Sequence, residues 1–420
     1  MTETPTLQYR ANSSGTKPKL LSVQGAQARV LADLLPTASE DVELSRALGR
    51  VCSEAVCAKI SHPPADVSAM DGYACRSSDV TRLPVQLRKI GVSRAGERFR
   101  GDLSDGTCVR IFTGGVVPPS ADVIALQEDT LESGNQVEIR QVPKVGRHVR
   151  RGGLDFAAGD VCIEKGRILT ARDIGLLAAS GNSRVPVRRK PLVAILSTGD
   201  ELVTPNDMPS PDQIVASNGS ALTAAVTAWG ATPIDLGIVP DSVEAIAAAV
   251  DQATDADILV TTGGASVGDH DLVQASLARL GFILDFWRIA MRPGKPLMFG
   301  RLHELPIIGL PGNPVSALVC ALLFLRPALR KMLDMIPSIP PFETAVLGAD
   351  MPENDQREDY VRARLELDGC VPVVSPFRTQ DSSMLMALSK ADALVKRPPF
   401  APPAPKGAAV EIIRLDMGRF

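Results

Sequence analysis

The chain has 420 residues, 45% of them hydrophobic and 22% charged, with a formal net charge of −3. That length suggests about three domains, able to bury their cores without staples, and the slight acidity lacks the basic footprint that a nucleic-acid partner needs. Seven scattered cysteines without a C-x-x-C pair argue against a disulfide framework or a zinc site; the polar N-terminus has no signal-like apolar run, so a cytoplasmic protein without membrane attachment is expected.

Residues 1–19 are rich in Thr, Ser and Pro and read as a disordered tail. An amphipathic helix is predicted over 23–35. Residues 41–48 carry Val42, Leu44, Ala47 and Leu48 with no clean period, so helix and strand both stay open there. Between His62 and Val149 the apolar runs are short, alternating and broken by turns, which predicts a β-rich module. A strand-like piece and a helix over 170–179, stopped by Gly181, follow. The β-rich module then reads as an insertion between two halves of one elongated domain, 20–61 plus 150–189.

From Lys190 the pattern becomes regular. Strands are predicted over 192–197, 234–239, 257–262, 283–290 and 306–310. Helices are predicted over 218–229, 241–253 and 269–280, and a long one opens at Asn313-Pro314, with Asn as N-cap and Pro at the first helical position. The apolar run 315–325 is too short to span a bilayer and reads as a buried helix. The alternation implies a mostly parallel sheet covered by helices. Pro337, Pro340 and Pro341 mark a linker, and 337–420 reads as a small β domain, barrel or sandwich. The expected fold class is therefore α/β multidomain: a central α/β domain (190–336) with a parallel-rich sheet, the inserted β-rich module (62–149), the elongated N-terminal domain and the C-terminal β domain.

In open α/β sheets ligands sit at the carboxyl ends of the strands, and three glycine-containing loops lie there. Thr261-Thr262-Gly263-Gly264-Ala265-Ser266-Val267-Gly268-Asp269 joins a strand to a helix, where glycines admit a ligand to the backbone and helix N–H groups face its negative charge. Ser197-Thr198-Gly199-Asp200-Glu201-Leu202 and Gly309-Leu310-Pro311-Gly312-Asn313-Pro314 follow the first and last strands. The carboxylates of Glu201, Asp241, Asp269 and Asp271 beside them suit Mg²⁺, although Asp241 and Asp269 are also well placed as helix N-caps. Arg288, Arg292 and Lys295 surround a Pro-Gly turn and suggest an anion clamp; a solvated cationic loop is the alternative.

Ser68-Ala69-Met70-Asp71-Gly72-Tyr73-Ala74, Ser197 to Leu202, Gly263 to Asp269 and Leu310 to Pro314 together resemble the molybdopterin molybdenumtransferase family (the MoeA type, related to the E domain of gephyrin). The resemblance runs from about residue 34 to the C-terminus. It implies a MogA-like central domain and an enzyme that inserts molybdenum from molybdate into adenylylated molybdopterin, releasing AMP with Mg²⁺ assistance. It also implies a homodimer with the active site at the subunit interface. Carried over by position, Asp71, Thr113, Asp155, Glu201, Asp241 and Asp271 are the expected catalytic set, with Glu201, Asp241 and Asp271 on the metal. Gly263, Gly264, Ser266, Gly268, Asp269, Gly312 and Asn313 are expected to line the pterin phosphate or AMP. Arg288, Arg292, Lys295 and Pro296, with Arg362 and Ser382 of the terminal domain, are expected to handle molybdate.

The pattern departs from the family at four places. Arg288 and Arg292 stand where lysine is common, Leu154 replaces a polar residue, and Asp381 replaces a glycine beside Ser382, where its charge opposes an anion unless it turns away. Two other readings remain open: the adenylyltransferase that makes the substrate, which resembles the 190–335 domain alone, and a non-enzymatic cofactor-binding scaffold.

Overall fold

The computed structural model describes residues 8–9, 20–142, 144–263, 272–339 and 341–415. By internal packing the chain divides into two units, Asp41–Val187 and the remainder, up to Glu40 and from Arg188 onward.

The larger unit is built on a seven-stranded sheet. Its elements in chain order are β1 (Leu192–Thr198), α1 (Ser217–Ala228), β2 (Thr232–Val239), α2 (Val243–Asp251), β3 (Ile258–Thr262), α3 (Leu272–Arg279), β4 (Phe282–Trp287), β5 (Met298–Leu302), β6 (Leu305–Leu310) and α4 (Pro314–Cys320). The sheet order is β4-β5-β6-β3-β1-β2, with the two-residue strand Gln8–Tyr9 outside β4. Those two residues belong to the stretch whose composition suggested disorder; the rest of that tail lies outside the described residues.

β2, β1, β3 and β6 run parallel. β5, which the periodicity did not reveal, is antiparallel to both β6 and β4, so the parallel arrangement holds for four strands, among them the three that carry the glycine loops, and gives way at one edge. Val193 to Thr198 of β1 are all buried, as a strand covered on both faces requires. One core lies on the α1 and α4 side, with Val193, Ile195, Leu222 and Val315; a second lies on the α2 and α3 side, with Ala194, Leu196, Ile246 and Leu277.

The apolar run 315–325 is buried throughout, as α4 and then a π-helical turn over Ala321–Leu325. The N-terminal helix, Val23–Ala32, is capped by Ser22 and buries Val23, Ala26 and Val30 against the first of these cores.

Five strands follow the proline-rich linker: β7 (Glu343–Leu347), β8 (Glu358–Asp368), β9 (Val371–Pro376), β10 (Ala393–Arg397) and β11 (Ala409–Arg414). They pair in the order β8-β9-β7-β11-β10, and β10 returns to β8. The alternation of the sequence thus resolves as a closed barrel, which removes free sheet edges. The start of β8 also takes Met291–Arg292 as a parallel neighbour.

In the smaller unit, six strands between Gly72 and Ile139 form one sheet, the predicted β-rich module. Val42, Ala47, Cys52 and Val56 pack with Ile163, Leu169, Leu177 and Val187 in a separate core. Segments on either side of the module therefore fold together, as an insertion requires. Residues 41–48 lack a period for a physical reason: they hold the end of a strand, Ser39–Glu43, and one 3₁₀ turn, Leu44–Arg46. The helix Ala171–Ala179 opens with a capping box between Thr170 and Asp173.

Candidate active site

A cleft of about 660 Å³ opens at the carboxyl ends of β1, β3 and β6. Ser197 and Thr198 of β1, Thr262 and Gly263 of β3, and Pro311 to Pro314 after β6 line it, with Glu201, Ser217, Asn218 and Pro296. Ser383 and Leu385 of the barrel domain complete it. The described parts of the three glycine loops, Gly263 alone beyond the end of β3, meet on one rim.

Their convergence depends on Asn218 in the first turn of α1. Its amide donates to Thr262 Oγ1 at 2.8 Å and to the Gly312 carbonyl at 2.7 Å, tying three chain segments together. Its own Oδ1 and the Oγ1 of Thr198 are buried without a hydrogen-bond partner among the described residues, and both residues line the cleft. A buried polar atom left unpaired is costly, so these two are groups a polar ligand could satisfy. Gly263 sits at φ +99° with a Cβ position only 2.1 Å from the Thr198 carbonyl oxygen; only glycine lets β3 pass so close to β1 at the floor of the cleft. Asn313 precedes α4, with Pro at the first turn, yet makes no side-chain cap. Its amide instead donates to Ser382 Oγ at 3.1 Å, joining the α/β domain to the barrel domain.

Glu201, Asp200 and Asp241 make one side acidic. The helix after β2 begins at Val243, and its N-cap is Ser242, whose hydroxyl accepts from the Ala245 N–H at 3.1 Å. The expected capping role of Asp241 is therefore taken by its neighbour. The Asp241 backbone N–H donates to Asp200 Oδ1 at 3.0 Å, while its own Oδ1 is buried without a partner among the described residues. Burial raises the Asp241 pKa, and the charges of Asp200 and Glu201 raise it further. An all-oxygen, mutually repelling set with an orphaned carboxylate oxygen fits a hard cation such as Mg²⁺. Among the described residues no three such side chains already stand in metal-ligating geometry.

The cations are not equivalent. Arg288, at φ +79°, stacks over the Trp287 ring at 4.0 Å. Lys295 is exposed, and its carbonyl accepts from the Ile289 and Leu297 N–H groups at 3.0 and 3.1 Å. Arg292 is paired with Asp359 and, at 3.3 Å, with Asp355. Arg362 is buried and spends its guanidinium on Gln380 Oε1 and the carbonyls of Asp381 and Met384. It thereby holds the loop that carries Ser382. The Asp381 carboxylate turns to Ser383, accepting from its N–H at 2.8 Å and its hydroxyl at 2.6 Å, and those bonds hold its pKa below the ordinary value.

In the smaller unit Asp71 Oδ1 accepts from the Thr113 N–H at 2.7 Å and hydroxyl at 2.8 Å. These bonds, the backbone one first, lower the Asp71 pKa. Asp155 is exposed. Asp66, which the sequence reading did not single out, accepts from the Gly152 N–H at 2.8 Å and pairs with Arg151, fixing the Gly152-Gly153 turn just before Asp155.

Three family models cover most of the chain: the MoeA N-terminal region (domain I and II) at residues 21–181, the "Probable molybdopterin binding domain" at 194–331 and the MoeA C-terminal region (domain IV) at 344–415. A molybdopterin molybdenumtransferase of a Nostoc species is 37% identical over 386 residues, 88% of each chain. One from Haemophilus influenzae is 35% identical over 82% of this chain and 85% of its own. A crystal structure of a molybdopterin biosynthesis MoeA protein from Pyrococcus horikoshii superposes with a TM-score of 0.85 at 30% identity, covering 95% of this chain and 100% of that one.

The chain belongs to the molybdopterin molybdenumtransferase family. It is accordingly an enzyme, a transferase of molybdenum cofactor biosynthesis, with the multidomain architecture of that family. Of the positions that the family resemblance singles out, Glu201, Gly263, Pro296, Gly312 and Asn313 line one cleft. Gly264, Ser266, Gly268, Asp269 and Asp271 lie outside the described residues. Thr198 and Thr262 lie in the loops singled out from sequence but had no role of their own there; Asn218 and Ser383 are cleft residues the sequence reading missed. Ser217-Asn218 carried a signal, since small polar residues at a helix start mark a cap, but nothing local shows that the Asn218 amide reaches two other loops.

Proposed function

We propose that this transferase inserts molybdenum from molybdate into adenylylated molybdopterin and releases AMP, with the cleft at β1, β3 and β6 as the substrate site. The observation that carries the proposal is one cleft lined by Glu201, by the polar floor of Thr198, Asn218 and Thr262, and by Pro296, in a chain of this family.

In this reading Glu201, Asp241 and Asp271 hold Mg²⁺ on the acidic side. A cation held by these residues would supply charge neutralisation at the phosphoanhydride. Thr198, Asn218 and Thr262 orient the phosphate-bearing substrate by hydrogen bonds. The loop with Lys295 and Pro296, together with Ser382 held by Asn313 and Arg362, receives molybdate, a dianion that needs fixed donors. The dithiolene sulfurs come from the substrate, so no reactive cysteine is needed. That agrees with Cys75, Cys108 and Cys320, buried thiols whose pKa values burial raises.

Asp71, Thr113 and Asp155 enter through a homodimer, the smaller unit of one protomer facing the cleft of its partner. A cytoplasmic location completes the reading; among the described residues no helix is long and apolar enough to cross a membrane.

The test is incubation with adenylylated molybdopterin, Mg²⁺ and molybdate. AMP release that depends on molybdate, with formation of active cofactor, is expected. Net adenylylation of molybdopterin from ATP without molybdate would reassign the chain to the preceding step. Retention of ligand with no AMP release would make it a binding scaffold.

A further inference from the structure

We propose that Arg292 is a positioning residue rather than an anion ligand: held by Asp359 and Asp355, it docks the 293–296 loop onto the barrel and so fixes where Lys295 and Pro296 stand at the cleft. The inference rests on the molybdate-handling role proposed for that loop.

The guanidinium is already occupied. Its Nε donates to Asp359 Oδ2 at 3.0 Å, and Nη2 closes on the same oxygen. Nη1 reaches Asp355 Oδ2 and Nη2 reaches Asn354 Oδ1, each at 3.3 Å. Asp359 is only 7% exposed, and Asp355 is itself bound by Arg357 at 2.7 Å. The charge of Arg292 is thus already met by two carboxylates, which leaves little of it for a dianion.

The backbone repeats the same attachment. Met291 and Arg292 pair in parallel with Glu358 and Asp359 of β8, and the Glu358 N–H donates to the Ala290 carbonyl at 2.9 Å. On its far side the loop presses on α4: Gly294 is at φ +107°, and its Cβ position is 2.3 Å from Cys320 Sγ. With both sides fixed, Pro296 lines the cleft and the exposed Lys295 carries no ion pair to any described residue. Lys295 is then the loop's available cation, and Arg292 acts through it. An arginine suits this duty because its planar fork spans several acceptors where a lysine reaches one.

The two roles predict opposite signs. Were Arg292 an anion ligand, D359N would free its charge, remove a competing carboxylate and lower KM for molybdate. As a positioning residue, D359N loosens the loop and raises KM for molybdate by roughly tenfold, the scale of one lost charge-assisted hydrogen bond, with kcat changed far less. R292A is expected to raise it similarly, R292K by a smaller factor, and R292A/D359N no more than either single change, because both remove the same attachment. D355N, at an exposed partner, gives a second reading in the same direction should D359N fail to fold. A KM at or below the wild-type value in D359N or D355N overturns the proposal. Wild-type protein whose cofactor formation does not saturate with molybdate overturns instead the reading of the loop on which it rests.

Discussion

Asp241 and Ser242 are adjacent residues with opposite duties. Ser242 caps α2, and Ser242→Ala is expected to cost about 1 kcal/mol of stability while molybdate-dependent AMP release persists. Asp241 holds a charge in a place that opposes it. A carboxyl whose folded pKa is raised favours folding at pH below its ordinary value, and that contribution is lost as pH rises through the raised value. Without divalent cation, Asp241→Asn should therefore melt above wild type near neutral pH, the gap closing as pH falls below about 4. Added Mg²⁺ should stabilise wild type more than the variant, and the variant should lose activity. Melting curves across pH with and without Mg²⁺ test this; a gap independent of pH would remove the electrostatic explanation. Glu201→Gln should lower AMP release by about a hundredfold or more if it serves a charge-neutralising cation, and full conversion by this variant would discard its metal role.

At the scale of elements, the cleft is held open by short ties between loops. Asn218→Ala removes two hydrogen bonds, one of them to the buried Thr262, a loss of about 2 kcal/mol. Denaturant titration should show it, with a matching rise in KM for the pterin substrate; loss of stability without a change in KM would make Asn218 purely structural. Gly263→Ala faces both a positive φ and the Thr198 carbonyl, so β1 and β3 must separate at their ends, and activity should fall with little change elsewhere in the sheet. The parallel strands and most helices were legible from periodicity and caps because those signals are local. β5 was not, since its five residues, MFGRL, include a glycine and an arginine and are made a strand by pairing on both sides. Nor was the π-helical turn at Ala321–Leu325, which an unbroken apolar run does not distinguish from α-helix.

At the scale of the whole molecule, the proposed homodimer makes a quantitative prediction. Asp71→Asn and Glu201→Gln lie in different units of the chain and should each be nearly inactive. If a site takes Asp71 from one protomer and Glu201 from its partner, mixed dimers carry one intact site. Random exchange of the two variants then restores about a quarter of wild-type activity. No recovery after verified subunit exchange would place Asp71 and Glu201 of each site in the same protomer.

The sequence by itself determined the family, through four motifs in fixed order, and the α/β plan, through apolar period and glycine loops. It also supplied the positions that the cleft collects from β1, β3 and β6, because strand ends in a parallel sheet share one rim. Tertiary structure alone decided what each polar side chain does there. Asp241 is not a cap because Ser242 is. Asn313 reaches Ser382 across 69 residues instead of capping α4. Arg362 is spent on the 380–384 loop, and Arg292 on two carboxylates of the barrel domain. Sequence sets which groups are available, but hydrogen-bond partners and local charge are properties of neighbours brought together by folding.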